Sequence, residues 1–151
     1  MRYVFLVVSW LMLSLLAASA ADKPQILRDI MASAASQCRG AGGVPIKFEA
    51  AGAEIDLNGD GAADWVLDFS DIRCEGASSY FCGLAGCQIY IIMAQGADHI
   101  SAWGDAVYAW RQIKIGGSPG LQFDMHESAC KSAGACTKSF VFDGSRLREV
   151  K

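Results

Sequence analysis

The chain has 151 residues and a formal charge of −3, from 13 basic and 16 acidic side chains. This acidic balance leaves no broad basic surface for nucleic acid or an anionic membrane, so neither partner is expected. Apolar residues make up 52% of the chain. Many of them lie in the first twenty positions, and the remainder is long enough for one hydrophobic core but not for two domains.

The first twenty residues have the pattern of a secretory signal peptide. Arg2 precedes an apolar run at residues 4–16 that only two serines interrupt, and residues 18–20, Ala-Ser-Ala, form a small-residue cleavage site. The alternative is a membrane anchor, but this run is short for a bilayer, which needs about twenty apolar residues. We therefore expect residues 1–20 to be removed and residues 21–151 to form one periplasmic or secreted domain without membrane attachment.

The mature chain begins with an amphipathic helix pattern. Between Asp22 and Cys38, apolar residues recur at helical spacing, with Pro24 placed to start the helix and Gly40 to end it. Its apolar stripe carries no chemically reactive side chain, so we expect the helix to cover one face of a sheet.

Strand patterns follow the helix. The spacing of apolar residues becomes strand-like at residues 46–49, and the candidate strands are then residues 53–57, 65–69, 89–93, 107–115, 121–125, 139–142 and 146–150. Residues 89–93 are apolar on both faces and are predicted to form the central strand. The order of elements predicts an α+β domain, in which the N-terminal helix packs on an antiparallel meander of six to seven short strands.

An acidic segment lies between two of these strand candidates. Residues 49–75 contain eight of the 16 acidic side chains, and within them residues 56–64 read D-L-N-G-D-G-A-A-D. Asp56, Asn58, Asp60 and Asp64 present oxygen side chains at alternating positions of a loop that Gly61 can bend, and the carbonyl of Ala62 adds a further oxygen. Such a set suits Ca²⁺, which takes six to eight oxygen ligands.

This loop resembles the calcium loops of FG-GAP and dockerin-like proteins. The resemblance implies Asp56, Asn58, Asp60 and Asp64 as side-chain ligands and Ala62 as a carbonyl ligand. It does not extend to a whole fold: the loop occurs once, and Leu67 stands where an EF-hand has a bidentate glutamate. Binding is therefore expected in the weak range of extracellular modules, roughly 10⁻⁴ to 10⁻³ M.

A metal-free turn is the alternative for the same segment. Asn58 and Gly59, like Asp60 and Gly61, form dipeptides that favour tight turns. Repulsion among three carboxylates within nine residues argues against this alternative.

Six cysteines follow the predicted cleavage site: Cys38, Cys74, Cys82, Cys87, Cys130 and Cys136. An even number in an exported chain predicts disulfides, with fifteen pairings possible. The short glycine-containing loops favour Cys82 with Cys87 and Cys130 with Cys136, which leaves Cys38 for Cys74. Neither the spacing of a zinc site nor a C-x-x-C redox motif is present.

The combination of signal peptide, acidic loop, cysteine motifs and residues 126–130, H-E-S-A-C, is similar to small bacterial periplasmic proteins of unknown function. That resemblance covers most of residues 38–142 and implies a compartment and a shape, but no activity.

Two further groups are candidates for function. Asp124 and His126, with Ser128, lie at alternating positions near the end of one strand, a pattern that indicates a polar sheet face more than a hydrolase. Tyr80 and Phe81 precede the loop at residues 82–87 and would form a protein-binding patch if exposed together with it.

The sequence thus predicts an exported, non-enzymatic binding module with a structural Ca²⁺ loop and a protein partner. One alternative is a lysozyme-inhibitor-like protein, since an acidic stapled domain suits a basic enzyme. Another is a hydrolase using Asp124 and His126.

Overall fold

The computed structural model describes residues 23–48, 51–131 and 133–151. The predicted signal peptide and Glu49, the first residue of the acidic segment, lie outside these ranges.

One α-helix, α1, spans Gln25–Gly40, with Pro24 at its N-cap. Its buried residues are Leu27, Met31, Ala34 and Cys38, at the three- and four-residue spacing of one helical face. The helix begins directly after Pro24 and ends at Gly40, the two residues that the sequence placed at its ends. In the described part of the chain, no helix is long and apolar enough to cross a membrane.

Eleven strands lie in the described residues. They are β1 (Val44–Ile46), β2 (Ala53–Ile55), β3 (Asp64–Asp68), β4 (Arg73–Glu75), β5 (Cys82–Gly83), β6 (Gly86–Gln95), β7 (Asp98–Val107), β8 (Ala109–Ile115), β9 (Ser118–Met125), β10 (Cys136–Phe142) and β11 (Leu147–Val150). Short 3₁₀ helices span Phe69–Asp71 and Glu127–Ala129.

Strand β6 is the centre of the larger sheet. It pairs along one edge with β3 and then β5, and along its other edge with β7, while β2 lies outside β3. A second sheet has the order β11-β10-β9-β8, and β1 forms a separate pair with β4. Every pairing is antiparallel.

The layers are helix, large sheet and second sheet, because the large sheet buries both of its faces. Trp65, Leu67 and Ile92 pack toward the helix residues Leu27 and Met31. On the opposite face, the core contains Val66, Ile89, Ile91 and Met93 together with Leu121, Phe123 and Phe140 of the second sheet. Alternate residues of β3 therefore enter different cores, as the two-residue period of a strand requires.

The fold contains three disulfides: Cys38–Cys74, Cys82–Cys87 and Cys130–Cys136. This is the pairing that the loop spacing favoured. The first closes 36 residues of sequence and joins the end of α1 to β4. The chain-entropy model gives such a loop about 4 kcal/mol of stabilisation and the two short loops about 2 kcal/mol each.

The predicted α+β class and the central position of β6 are confirmed, but the prediction of six to seven strands in one meander was wrong. The structure has more strands, in several sheets. Strands β4 and β5 are only three and two residues long, too short to show a period. Strand β7 lacks clean alternation of buried and exposed residues, and its pairing with β6 shifts register between Ile91 and Ile92.

Candidate functional site

The acidic loop connects β2 to β3 and closes on the carboxylate of Asp56. One oxygen of Asp56 accepts a hydrogen bond from the backbone N–H of Gly59 at 2.6 Å, and the other accepts from Gly61 at 3.0 Å. Both glycines have positive φ, 82° and 84°, so the backbone folds back toward the carboxylate. The Gly59 and Gly61 hydrogen bonds lower the pKa of Asp56 below its usual value.

Asn58 and Asp60 form the tip of this loop and bond to each other. The side-chain oxygen of Asn58 accepts from the N–H of Asp60 at 3.0 Å, and the amide of Asn58 donates to an Asp60 carboxylate oxygen at 2.8 Å. The second Asp60 oxygen accepts from the N–H of Ala62 at 2.7 Å. The side chains therefore turn inward over the loop backbone.

Asp64 differs from the other carboxylates because it is 0% exposed. Its two oxygens accept hydrogen bonds from the backbone N–H groups of Leu57 and Ala94, both at 2.8 Å. Burial raises the pKa of Asp64; the two hydrogen bonds oppose this, and the negative charges of Asp60 and Asp56 add to it. The three carboxylates thus share one electrostatic region, and Asp64 clamps the loop to β6.

Two residues outside the predicted ligand set hold the loop from neighbouring strands; of these, His99 was expected in a solvated turn. Gln112 of β8 donates its side-chain amide to the carbonyl of Asp56 at 2.9 Å, and the His99 ring on β7 lies 3.0 Å from the carbonyl of Ala63. Both come from strands distant in sequence, so no local pattern would have found them.

The structure brings the predicted ligands Asp56, Asn58, Asp60, Ala62 and Asp64 into one loop. Within the described ranges, no group of three or more His, Cys, Asp or Glu side chains is arranged to hold a metal ion. Backbone N–H groups donate hydrogen bonds to the carboxylate oxygens of Asp56 and Asp60. The exposed rim of the loop consists of Asp60 and its neighbours Gly59 and Gly61.

A second feature lies at the opposite end of β6, where β5 and β6 form a disulfide-closed hairpin. Leu84 at its turn is 92% exposed, Tyr108 is 50% exposed, and Tyr80, which precedes the hairpin, is 49% exposed. The Tyr108 hydroxyl donates to the carbonyl of Leu84 at 2.8 Å. We call Leu84, Tyr80 and Tyr108 with the Cys82–Cys87 hairpin the apolar tip.

The apolar tip is held rigidly. Gly86 has a φ of 101°, and a Cβ there would collide with the carbonyl of Val107, so the hairpin presses on the strand beside it. Phe81, which would join Tyr80 in a binding patch only if it were exposed, packs edge-on against Phe69 with ring centroids 4.9 Å apart. It therefore anchors the hairpin to the core.

Asp124 and His126 have separate partners. The Asp124 carboxylate pairs with Arg111 at 2.9 Å and accepts from the Thr137 hydroxyl at 2.7 Å, and these bonds lower its pKa. The His126 ring lies 3.0 Å from the Ser128 hydroxyl and accepts from its N–H. Among the described residues, no hydrogen bond joins Asp124 to His126.

No protein-family model, curated protein or solved structure matches this chain.

Proposed function

We propose that this chain is an exported, non-enzymatic binding module that captures a protein partner with its apolar tip. The observation that carries the proposal is Leu84, a leucine almost fully exposed on a hairpin that a disulfide holds closed. Exposed apolar side chains grouped in this way are typical of protein interaction sites. Tyr108, which bonds to Leu84, and Tyr80, which precedes the hairpin, belong to a residue type enriched in interface hot spots.

The rigidity of the apolar tip favours binding. A loop that is ordered before it meets its partner loses little conformational entropy on association. The Cys82–Cys87 bond and the Tyr108 hydrogen bond to Leu84 both fix the hairpin in the absence of a partner. Export agrees with the three disulfides, which persist in oxidising compartments.

Site-specific photo-crosslinking tests the tip. A photoreactive residue at position 84 is expected to give a discrete protein adduct in the envelope fraction, while the same residue at Val44 should not. Val44 is a suitable control because it is 57% exposed and apolar, but lies on β1. Identical adduct patterns at both positions, or none at position 84, would contradict the proposal.

A turbidity assay tests the alternative that the protein inhibits lysozyme. Protection of cells from lysozyme that Leu84→Ser removes and Val44→Ser leaves intact would identify lysozyme as the partner. Equal protection by both variants would place any inhibition away from the apolar tip.

We further propose that the acidic loop binds Ca²⁺ weakly, through Asp56, Asn58, Asp60 and the carbonyl of Ala62. Support comes from the closeness of the three carboxylates: burial raises the pKa of Asp64 most, and the negative charges of Asp60 and Asp56 add to this. Asp64 was predicted as a further ligand, but unlike Asp56 and Asp60 its carboxylate is fully buried and bonds to the backbone N–H groups of Leu57 and Ala94, so we assign it the clamping role.

Thermal unfolding with and without millimolar Ca²⁺ tests this assignment. Ca²⁺ is expected to raise the melting temperature of the wild type, because a ligand that binds only the folded state stabilises it. Asp60→Asn should abolish the rise, whereas Glu54→Gln, an exposed carboxylate on β2, should preserve it. An equal rise in Mg²⁺ and Ca²⁺, or none, would argue against a calcium site.

A further inference from the structure

A groove of about 580 Å³ lies between α1 and the chain that leaves β1. Small-molecule sites in proteins have volumes of roughly 300 to 1,000 Å³, and this groove lies within that range. Its floor is formed by two buried side chains, Met31 of the helix and Phe48 on the opposite side. Ala32 and Ala35 line the helix side, where their small side chains leave space. The groove is separate from the acidic loop and the apolar tip, since it shares no lining residue with either.

The groove is positively charged, although the chain as a whole is acidic. Lys23, Arg28, Arg39 and Lys47 line it, and no acidic side chain does so within the described part of the chain. Arg28 and Arg39 are eleven residues apart on α1, which places them on one helical face about 16 Å apart. Concentrated positive charge of this kind selects an anionic ligand.

The four cations divide into two sets. Lys23 donates to the carbonyl of Ala51 and Arg28 donates to Gln25, so this end of the groove is already held by the protein. By contrast, in the described ranges the side chains of Arg39 and Lys47 enter no hydrogen bond or ion pair. These two are therefore available to a ligand head group.

The backbone at Lys47 is a further observation that favours a ligand. Lys47 has a φ of 62° and is the non-glycine residue with positive φ in the described chain. An L-residue other than glycine pays for this left-handed conformation, and such strain collects at functional sites. Glycine would adopt this backbone conformation more easily than lysine does. The lysine, however, places a positive charge at the groove.

From these observations we propose that the groove binds a single-chain amphiphile with an anionic head group. Arg39 and Lys47 hold the carboxylate or phosphate head, and the apolar chain lies over Met31 and Phe48. The apolar floor disfavours a purely inorganic anion, and the cationic rim disfavours a neutral or cationic lipid.

Calorimetric titration of the oxidised protein tests the ligand class. Dodecanoate and dodecyl phosphate are the probes, with acetate, inorganic phosphate and dodecyltrimethylammonium as comparators. Saturable binding of one or both anionic amphiphiles, at least tenfold tighter than any comparator, is expected. Failure of both probes, or equal binding of the cationic amphiphile, would overturn the proposal.

Lys47→Gly separates the function of this residue from folding. Glycine relieves the backbone while removing the charge, so the melting temperature should stay or rise while probe affinity falls about tenfold. Lys114→Ala, an exposed cation on β8, is the matched control and should bind as the wild type does. Unchanged affinity in Lys47→Gly would refute the assignment of Lys47 to the head group.

Ala32→Trp tests the apolar part of the site. Residue 32 is exposed on α1, so the larger side chain enters the groove without disturbing the core. Binding of both probes should be lost while the unfolding transition is retained. A folded Ala32→Trp protein that still binds dodecanoate at wild-type affinity would also overturn the groove as the site.

Discussion

The two ends of strand β6 are stabilised by different chemistry. At the Ala94 end, the acidic loop is held by carboxylates that accept backbone N–H groups. At the Cys87 end, about 24 Å away along the strand, the apolar tip is held by a covalent bond and a tyrosine hydroxyl. The first end depends on ionised carboxylates and therefore on pH, whereas the second depends on the redox state of one cysteine pair.

The difference shows how the two ends of one small sheet can be stabilised independently. Charge at the acidic loop is partly balanced by oriented N–H dipoles, which leaves the exposed rim negative. The apolar tip carries no charged side chain, and its order comes from the cross-link. Each end can thus be altered without the other.

The largest expected effect comes from removing the clamp at Asp64. Asp64→Ala leaves the N–H groups of Leu57 and Ala94 buried without acceptors, and the loss should be about 3 kcal/mol in the free energy of unfolding. Glu54→Ala, on the exposed edge of β2, should change it by less than about 0.5 kcal/mol. Urea denaturation measures both, and equal small losses would show that the clamp contributes little.

Opening the apolar tip should have a smaller effect on stability and a large one on binding. Replacing Cys82 and Cys87 by serine is expected to cost about 2 kcal/mol and to abolish the crosslink from position 84. The matched control replaces Cys130 and Cys136 by serine, because the disulfide between them closes a loop of nearly the same length. It should cost about as much stability and leave the crosslink intact; loss of the crosslink in both would indicate a general folding defect.

The smallest effect is a difference between two titrations in one loop. The carboxyl carbon of Asp64 should titrate above pH 3.8 and that of Asp56 below it, as followed by NMR. Because its folded pKa is lowered, Asp56 stabilises the fold above pH 3.8, and this contribution is lost as the pH falls through the folded pKa. The pH dependence is opposite for Asp64, because its folded pKa is raised. Its contribution to the stability of the fold is complete below pH 3.8 and is lost as the pH rises through the folded pKa.

Melting curves between pH 2.5 and 6 connect these titrations to stability. Asp56→Asn should be less stable than the wild type at pH 6, and the two proteins should converge at the acid limit. Coincident NMR midpoints for the two aspartates would remove the distinction between buried and exposed carboxylates.

The sequence predicted local features well where a single pattern carried the signal. The helix, the doubly apolar strand at 89–93 and the last two strand candidates, 139–142 and 146–150, follow from the periodicity of apolar residues. Short loop spacing was enough to favour two disulfides, and the third followed from the remaining cysteines. In each case the neighbours along the chain supply the physical constraint.

Long-range structure was less visible to the sequence. Neither β7 nor the division into separate sheets was predicted, because register and sheet choice depend on partners far along the chain. The same holds for Asp64. Its position in the acidic motif predicted a ligand, and only the approach of β6 gives it two buried donors.

By itself, therefore, the sequence determined the helix, most of the longer strands, the acidic loop, the cysteine loops and the expectation of export. The tertiary structure decided which carboxylate is buried, that Phe81 is an anchor while Leu84 projects, and that four cations line one groove. The reason is that periodicity and turns act over a few residues, whereas burial and charge clustering depend on which distant segments meet.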